Sequence, residues 1–392
     1  MKPIYLDYNA TTPIAPEVTE SMLPYLYDYF GNPSSSHPYG VKAKSAVEQA
    51  RIQVADLIGA QAQEIIFTSG GTEANNFAIL GYCKKNRERG RHIITSAIEH
   101  PAVMEVCRAL TEDGFSLTVL PVDKYGLVNP QDLRNAIQPD TILVSIMLAN
   151  NEVGSIQPVK ELTQIAHQFG ICFHSDAAQA VGKVPVNVED LGVDLLSIAG
   201  HKLYAPKGVG VLYKRDGVNL QKIMFGASHE SNQRPGTENV LEIVGLGKAC
   251  EIAGRDLDRN MEHYQKIRDD LHHALLEGLG EQFLQLNGHP EKRLPNTLNV
   301  SFKGVEANTL LSEIGQQVAA SAGAACHADL VDVSTVLQAM GVPVEWAMGT
   351  VRFSVGRETR QQDINQVVPL ICDTVVRLCS GYTSVPPVLD SK

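Results

Sequence analysis

Short apolar, β-branched runs recur between about residues 45 and 215, each followed by a polar or glycine-bearing turn and then a helical pattern. They predict strands at Ile65–Thr68, His92–Ser96, Thr118–Val122, Thr141–Leu148, Cys172–His174, Leu195–Ala199 and Val209–Tyr213. Such β–α alternation implies a mainly parallel sheet covered by helices, because parallel neighbours need a crossover between them. Farther along, Leu257, Met261, Tyr264, Ile267, Leu271, Leu275 and Leu279 repeat at three- and four-residue steps. They predict a long amphipathic helix that links two domains. Thr297–Phe302 and Val351–Val355 then read as strands of the smaller domain. The expected division is a large domain over residues 16–256 and a small one built from 1–15 and 257–392.

Polar residues fall repeatedly just after the predicted strand ends, where open α/β sheets bind ligands. The run Ser197-Ile198-Ala199-Gly200-His201-Lys202 carries a lysine off the end of a buried strand, and Cys172-Phe173-His174-Ser175-Asp176 delivers an acid in the same way. A strand-end lysine and a strand-end aspartate are what a pyridoxal phosphate (PLP) enzyme needs. The amine bonds the cofactor, and the carboxylate keeps the ring nitrogen protonated so the ring accepts electrons. After the apolar run Ile65–Thr68 comes Ser69-Gly70-Gly71-Thr72. Backbone donors, a hydroxyl and a helix start together make a phosphate cradle. His100, before Pro101, is one more strand-end group, able to stack on a flat ring and to move a proton near neutral pH.

With these motifs assembled, the sequence resembles the NifS/IscS-like cysteine desulfurases among the fold-type I PLP enzymes. The resemblance runs from Tyr5-Leu6-Asp7-Tyr8-Asn9-Ala10-Thr11-Thr12 to Val351-Arg352-Phe353-Ser354. It passes through Gly31-Asn32-Pro33, Asn150-Asn151-Glu152, Asp176-Ala177-Ala178-Gln179, Gly200-His201-Lys202 and Arg234-Pro235-Gly236-Thr237. Met147–Glu152, Arg234–Asn239 and Gly323-Ala324-Ala325-Cys326-His327 are similar to the selenocysteine lyase branch as well. The implied fold is an α/β, fold-type I PLP-dependent transferase, with a mainly parallel seven-stranded sheet in the large domain and a smaller α+β domain.

The resemblance also implies roles. Lys202 is the cofactor lysine and the base for the substrate α-proton. Asp176 pairs with the ring nitrogen, Gln179 with the ring hydroxyl, and His100 stacks on the ring. Asn151 sits near ring and substrate. Gly71, Thr72 and His201 hold the phosphate, with Thr237 reaching it from the other subunit of a homodimer. Arg352 grips the substrate carboxylate, and Asn32 and His37 line the entrance. The desulfurases usually carry serine where this chain has Ala199. The lost hydrogen bond to a charged group is worth roughly 1.5–3 kcal/mol. Cys326 lies in a run of small residues that reads as a loop, and by family position it is the nucleophile that takes the substrate sulfur as a persulfide. His327 is adjacent to it as a candidate activating partner.

The implied reaction converts L-cysteine to L-alanine and passes sulfur to an acceptor protein. L-selenocysteine is the alternative substrate, and a non-catalytic scaffold on the same fold is the reading from another class. Composition narrows the field. The net charge of −11 without a basic run argues against direct nucleic-acid binding. Seven cysteines without paired spacing suit a reduced cytosol rather than a disulfide framework. No metal site is expected, since neither Cys-x-x-Cys nor His-Glu-x-x-His occurs. The N-terminal residues lack an apolar signal region and no apolar run approaches membrane-spanning length, so a cytoplasmic location is expected.

Overall fold

The computed structural model describes residues 2–327 and 330–382, with side chains described outside 324–332 and 380–382. Two compact units result. The larger comprises residues 9–151 and 155–261; the smaller takes in 152–154 and the described residues before 9 and after 261. The switches fall at Tyr8/Asn9 and Met261/Glu262, where the sequence reading puts them at 15/16 and 256/257. Two features move them. Asn9 and Ala10 bond Lys202 through their carbonyls, which ties this stretch to the larger unit. Val240–Leu279 is one continuous helix, so no turn marks the second switch.

Seven strands make the large sheet: Ile65–Thr68 (β1), His92–Ser96 (β2), Ser116–Leu120 (β3), Thr141–Ser145 (β4), Cys172–Asp176 (β5), Leu195–Ala199 (β6) and Gly210–Lys214 (β7). Their order is β1-β7-β6-β5-β4-β2-β3. β3, β2, β4, β5 and β6 run parallel, and β7 is antiparallel to both its neighbours. Every residue of β1, β2, β4, β5 and β6 is buried, as expected for strands covered on both faces. The third strand begins two residues earlier than its sequence suggests, and β4 stops at Ser145 rather than Leu148. Helix Gly71–Asn86 packs Phe77, Ala78 and Ile79 against Ile66, Ile93 and Leu143 of the sheet. Each buried Phe, Ile or Leu among them contributes about 1.5–3 kcal/mol.

In the smaller unit, Ser321–Ala322, Thr350–Ser354, Thr297–Phe302 and Leu284–Asn287 form an antiparallel sheet in that order. Its core combines Val300, Phe302 and Phe353 with Leu271 and Leu275 of the long helix and Ile371 of helix Gln361–Tyr382. The stretch around Cys326 differs from the expected loop. Ala324–His327 is a strand, paired antiparallel with Leu330–Val333 in the register Cys326↔Val331. Small residues do not forbid an extended backbone, and the valines at 331 and 333 favour pairing. The side chains of Cys326 and His327 lie outside the described residues. Among the described residues, no helix is long and apolar enough to cross a membrane.

Candidate active site

Parallel order sends the C-terminal ends of β5 and β6 to the same edge of the sheet, and both end in chemistry. β5 finishes on Asp176, which is buried. Its Oδ2 accepts a hydrogen bond from Asn75 Nδ2 at 2.7 Å, and its Oδ1 accepts the Ala178 N–H at 2.9 Å. β6 finishes on Ala199, and a single turn over Gly200–Lys202 carries the lysine clear of the strand. Lys202 Nζ donates to the carbonyls of Asn9 and Ala10 at 2.5 and 2.8 Å. Gln179 lies one turn beyond Asp176; its Nε2 donates to the Asn9 carbonyl at 3.0 Å. A second lysine, Lys183, is buried beside it and donates to Gln179 Oε1 at 2.6 Å and Asn9 Oδ1 at 3.1 Å. The Asn9 side chain also donates to the Asn151 carbonyl at 3.2 Å. One short N-terminal segment therefore joins Lys202, Gln179 and Asn151.

β1 leads into Ser69–Gly70 and helix Gly71–Asn86, whose start no side chain caps. Gly70 has φ 153°, in the range that disfavours side chains, and a Cβ there would meet nothing within 4 Å. A Cβ on Gly71 would lie 3.2 Å from Ala199 Cβ, so the turn sits closely on the end of β6. The first N–H groups of a helix have no intrahelical partner and carry the positive end of its dipole. Glu73 fixes the turn: its Oε2 accepts the Ser69 N–H at 2.8 Å, and its carboxylate pairs with Arg234 at 2.8 and 3.1 Å. Burial raises the Glu73 pKa, but the Arg234 and Ser69 hydrogen bonds outweigh it, leaving the carboxyl below its ordinary value. The ring of His201 contacts Thr11 Oγ1 at 3.2 Å through Nδ1. Burial, helped by Lys202, Lys207 and Lys183, pushes the His201 pKa down to about 4, so the ring is neutral at pH 7.

His100 caps helix Pro101–Glu112: its Nδ1 accepts the Ala102 N–H at 3.1 Å. An accepting Nδ1 leaves the proton of the neutral ring on Nε2. The ring keeps an exposed edge, yet desolvation pulls its pKa below the ordinary value; Asp176 opposes this and Lys202 adds to it. Behind it Glu99 is buried, its Oε1 accepting from Ser96 Oγ at 2.6 Å and the Met147 N–H at 2.9 Å.

The remaining candidates are more dispersed. Thr237 is exposed, three residues past Arg234. Asn32 and His37 make local contacts, to the Ser34 and Gly40 N–H groups at 2.9 and 3.3 Å. Arg352 belongs to the smaller unit, on strand Thr350–Ser354, where its Nη2 donates to Asp7 Oδ1 at 2.8 Å and Ser321 Oγ at 3.0 Å. Sequence reasoning assigned nothing to Asn75, Glu73, Arg234 or Lys183. Arg234 lies inside a quoted motif and Glu73 and Asn75 follow closely on another, but Lys183 gives no signal in its Gly-Lys turn.

The donor set fits a phosphorylated aromatic aldehyde. An uncapped helix start suits the phosphate, Lys202 the aldehyde, and Asp176 a ring nitrogen; Asn75 Oδ1 is buried without a protein partner.

Comparison with known proteins agrees along the chain. The aminotransferase class-V family model matches residues 4–367. A cysteine desulfurase IscS from Dictyoglomus turgidum is 47% identical over 385 residues, covering 98% of this chain and 96% of its own. A cysteine desulfurase IscS from Methanosarcina thermophila is 48% identical over 379 residues, covering 96% and 93%. A solved NifS-like protein superposes with a TM-score of 0.90 at 36% identity, covering 96% of this chain and 100% of that one.

Proposed function

The chain belongs to the aminotransferase class-V family and is a cysteine desulfurase, and from that premise we propose how its residues divide the work. The observation that carries the assignment is the convergence of Asp176, Lys202 and the uncapped turn at Gly70–Thr72 on the strand ends of one unit. PLP would be held there: Gly71, Thr72 and His201 would take its phosphate, Asp176 its ring nitrogen and Gln179 its hydroxyl, with His100 available to stack on the ring. Asn151 would serve ring and substrate. When bound, the cofactor supplies the electron sink that acidifies the substrate α-carbon and loosens its Cβ–S bond.

The protein's own groups do the rest. Lys202 Nζ takes the α-proton. The two carbonyls that hold its ammonium keep the amine on a short tether. His100, neutral with its proton on Nε2, exchanges a proton with the substrate thiol. Arg352 binds the substrate carboxylate, a task suited to a planar guanidinium. Asn32 and His37 line the entrance.

Cys326, as thiolate, attacks the substrate sulfur. The S–S bond forms as the Cβ–S bond breaks, and the electron pair left on Cβ takes a proton. The products are L-alanine and a Cys326 persulfide, with no net oxidant. The persulfide passes to an acceptor protein, for iron–sulfur assembly or other sulfur traffic. A homodimer completes each site by presenting Thr237 to the phosphate of the other subunit.

Parallel turnover of L-cysteine and L-selenocysteine by the PLP-loaded protein, with and without Cys326→Ala, tests this reading. Alanine from cysteine that disappears in the variant is the expected result. Turnover of selenocysteine alone, surviving the substitution, would make the chain a lyase and remove the role of Cys326.

A further inference from the structure

Glu230, Ser231 and Asn232 all have left-handed backbones, with φ of 45°, 50° and 65°. Residues with side chains rarely adopt this conformation singly, and a run of three persists only where the surroundings over-determine it. Here they do. The Glu230 carboxylate is buried and accepts both prongs of the Arg51 guanidinium, Nη1 on Oε2 and Nη2 on Oε1, each at 2.8 Å. Glu230 Oε2 also accepts the Phe67 N–H at 2.8 Å, and Arg51 Nη1 also donates to the Ile65 carbonyl at 2.8 Å. The guanidinium stands 4.8 Å from the Phe67 ring centre. This pair therefore fastens the left-handed turn to β1, the strand that runs into the phosphate turn.

Four residues beyond Glu230, Arg234 is bonded to Glu73, in the first turn of the helix that follows the phosphate turn. The stretch from 230 to 234 is thus anchored at both ends to the segment 65–73. Pro235, Gly236 and Thr237 leave from the second anchor, Gly236 with φ 102°. What this arrangement fixes is the direction in which the chain sets out toward Thr237.

We propose that Arg51 and Glu230 are positioning residues for the cofactor phosphate, holding the left-handed turn from which Thr237 is presented to the partner subunit's site. This rests on the reading above that Thr237 acts across a homodimer. A buried carboxylate whose arginine is removed, or the reverse, leaves an uncompensated charge. The turn then relaxes toward ordinary backbone, and Thr237 is no longer delivered in place.

Mixed dimers of the full chain, assembled from two differently tagged copies, test it. One copy keeps Lys202; the other carries Lys202→Ala, so visible absorbance reports cofactor bound only at the first copy's lysine. Glu230→Gln in the Lys202→Ala copy is expected to raise the cofactor dissociation constant at the intact site about tenfold or more. The same substitution in the lysine-bearing copy is expected to change it less than about twofold. Arg51→Lys, which keeps the charge and loses the fork, should act in the same direction and serves if Glu230→Gln does not fold. Thr237→Ala is run in the same two arrangements. If Thr237→Ala weakens binding from the partner copy while Glu230→Gln and Arg51→Lys do not, the positioning role is wrong and the dimer reading stands. If Thr237→Ala has no effect from the partner copy, the dimer reading fails and takes this proposal with it.

Discussion

Asn75 and Asp176 stand 101 residues apart in the chain, and Asn75 Nδ2 donates to Asp176 Oδ2 at 2.7 Å in a buried environment. The contact joins the N-terminal part of the helix after the phosphate turn to the residue assigned to the ring nitrogen. On the proposed reading, one helix would serve both the phosphate and the ring nitrogen. A hydrogen bond to a charged group is worth about 1.5–3 kcal/mol. Asn75→Ala should weaken cofactor binding by roughly ten- to a hundredfold on that account. Asn75→Asp should be worse, since two adjacent carboxylates resist sharing charge. Titration with PLP, followed by visible absorbance, measures both; native affinity in Asn75→Ala would contradict the role.

The strand ends of this site are legible in the sequence because polar residues there interrupt apolar runs. Asp176 and Lys202 announce themselves in that way, and so does the double glycine at 70 and 71. Asn75 does not, because its value depends on a partner that only the sheet order brings near. Lys183 is similar: it sits in the Gly182-Lys183 turn, which reads as solvent-facing, yet it is buried with Asn9 and Gln179 receiving its ammonium. The left-handed run at 230–232 leaves little mark, since Asn232 suits that backbone but Glu230 and Ser231 carry no such signature. The strand pairing at Cys326 is not legible because alanines and glycine weaken the strand pattern, while the partner residues supply the pairing.

His174 lies in the middle of β5, with Nδ1 2.8 Å from Ser145 Oγ and Nε2 3.0 Å from Ser197 Oγ. Burial pushes its pKa down to about 3 from the ordinary 6.5. Below 6.5 the unfolded chain binds a proton that the folded chain refuses. Its contribution to stability is therefore fully present above about pH 6.5 and is lost as the pH falls toward 3. His174→Gln should remove one proton's share of the acid slope, about 1.4 kcal/mol per pH unit. Urea midpoints between pH 6.5 and 4 compare the slopes; an unchanged slope in the variant would show that this histidine is not the sensor.

Glu99 carries the opposite sign. Burial lifts its pKa to about 8, with Asp176 adding to the rise and the Ser96 and Met147 hydrogen bonds working against it. A raised carboxyl stabilises fully below its unfolded value, near 4.5, and that stability is lost as the pH climbs through 8. Glu99→Gln keeps an oxygen for Ser96 Oγ and the Met147 N–H but has no proton to lose. The variant should match the native chain near pH 4.5 and gain on it steadily up to about pH 8. Parallel urea titrations decide; a difference that is constant with pH would mean the glutamate is ionised in the folded protein throughout.

Arg352 Nη2, Ser321 Oγ and Asp7 Oδ1 form a closed triangle, since Ser321 also donates to Asp7 Oδ1, at 2.9 Å. The triangle holds one nitrogen of the guanidinium and so sets the plane of the whole group. Lysine in its place would offer a point charge with no plane to set. If Arg352 grips the substrate carboxylate, that grip is made equally in ground and transition states. Arg352→Lys should then raise KM for L-cysteine about ten- to a hundredfold and leave kcat within roughly threefold. Asp7→Asn keeps the shape but loses the charge that orients Arg352, and should raise KM in the same sense by a smaller factor. Steady-state alanine formation separates the two constants. A fall in kcat as large as the rise in KM would place Arg352 in the chemistry itself, and an unchanged KM in both variants would take the carboxylate away from this residue altogether.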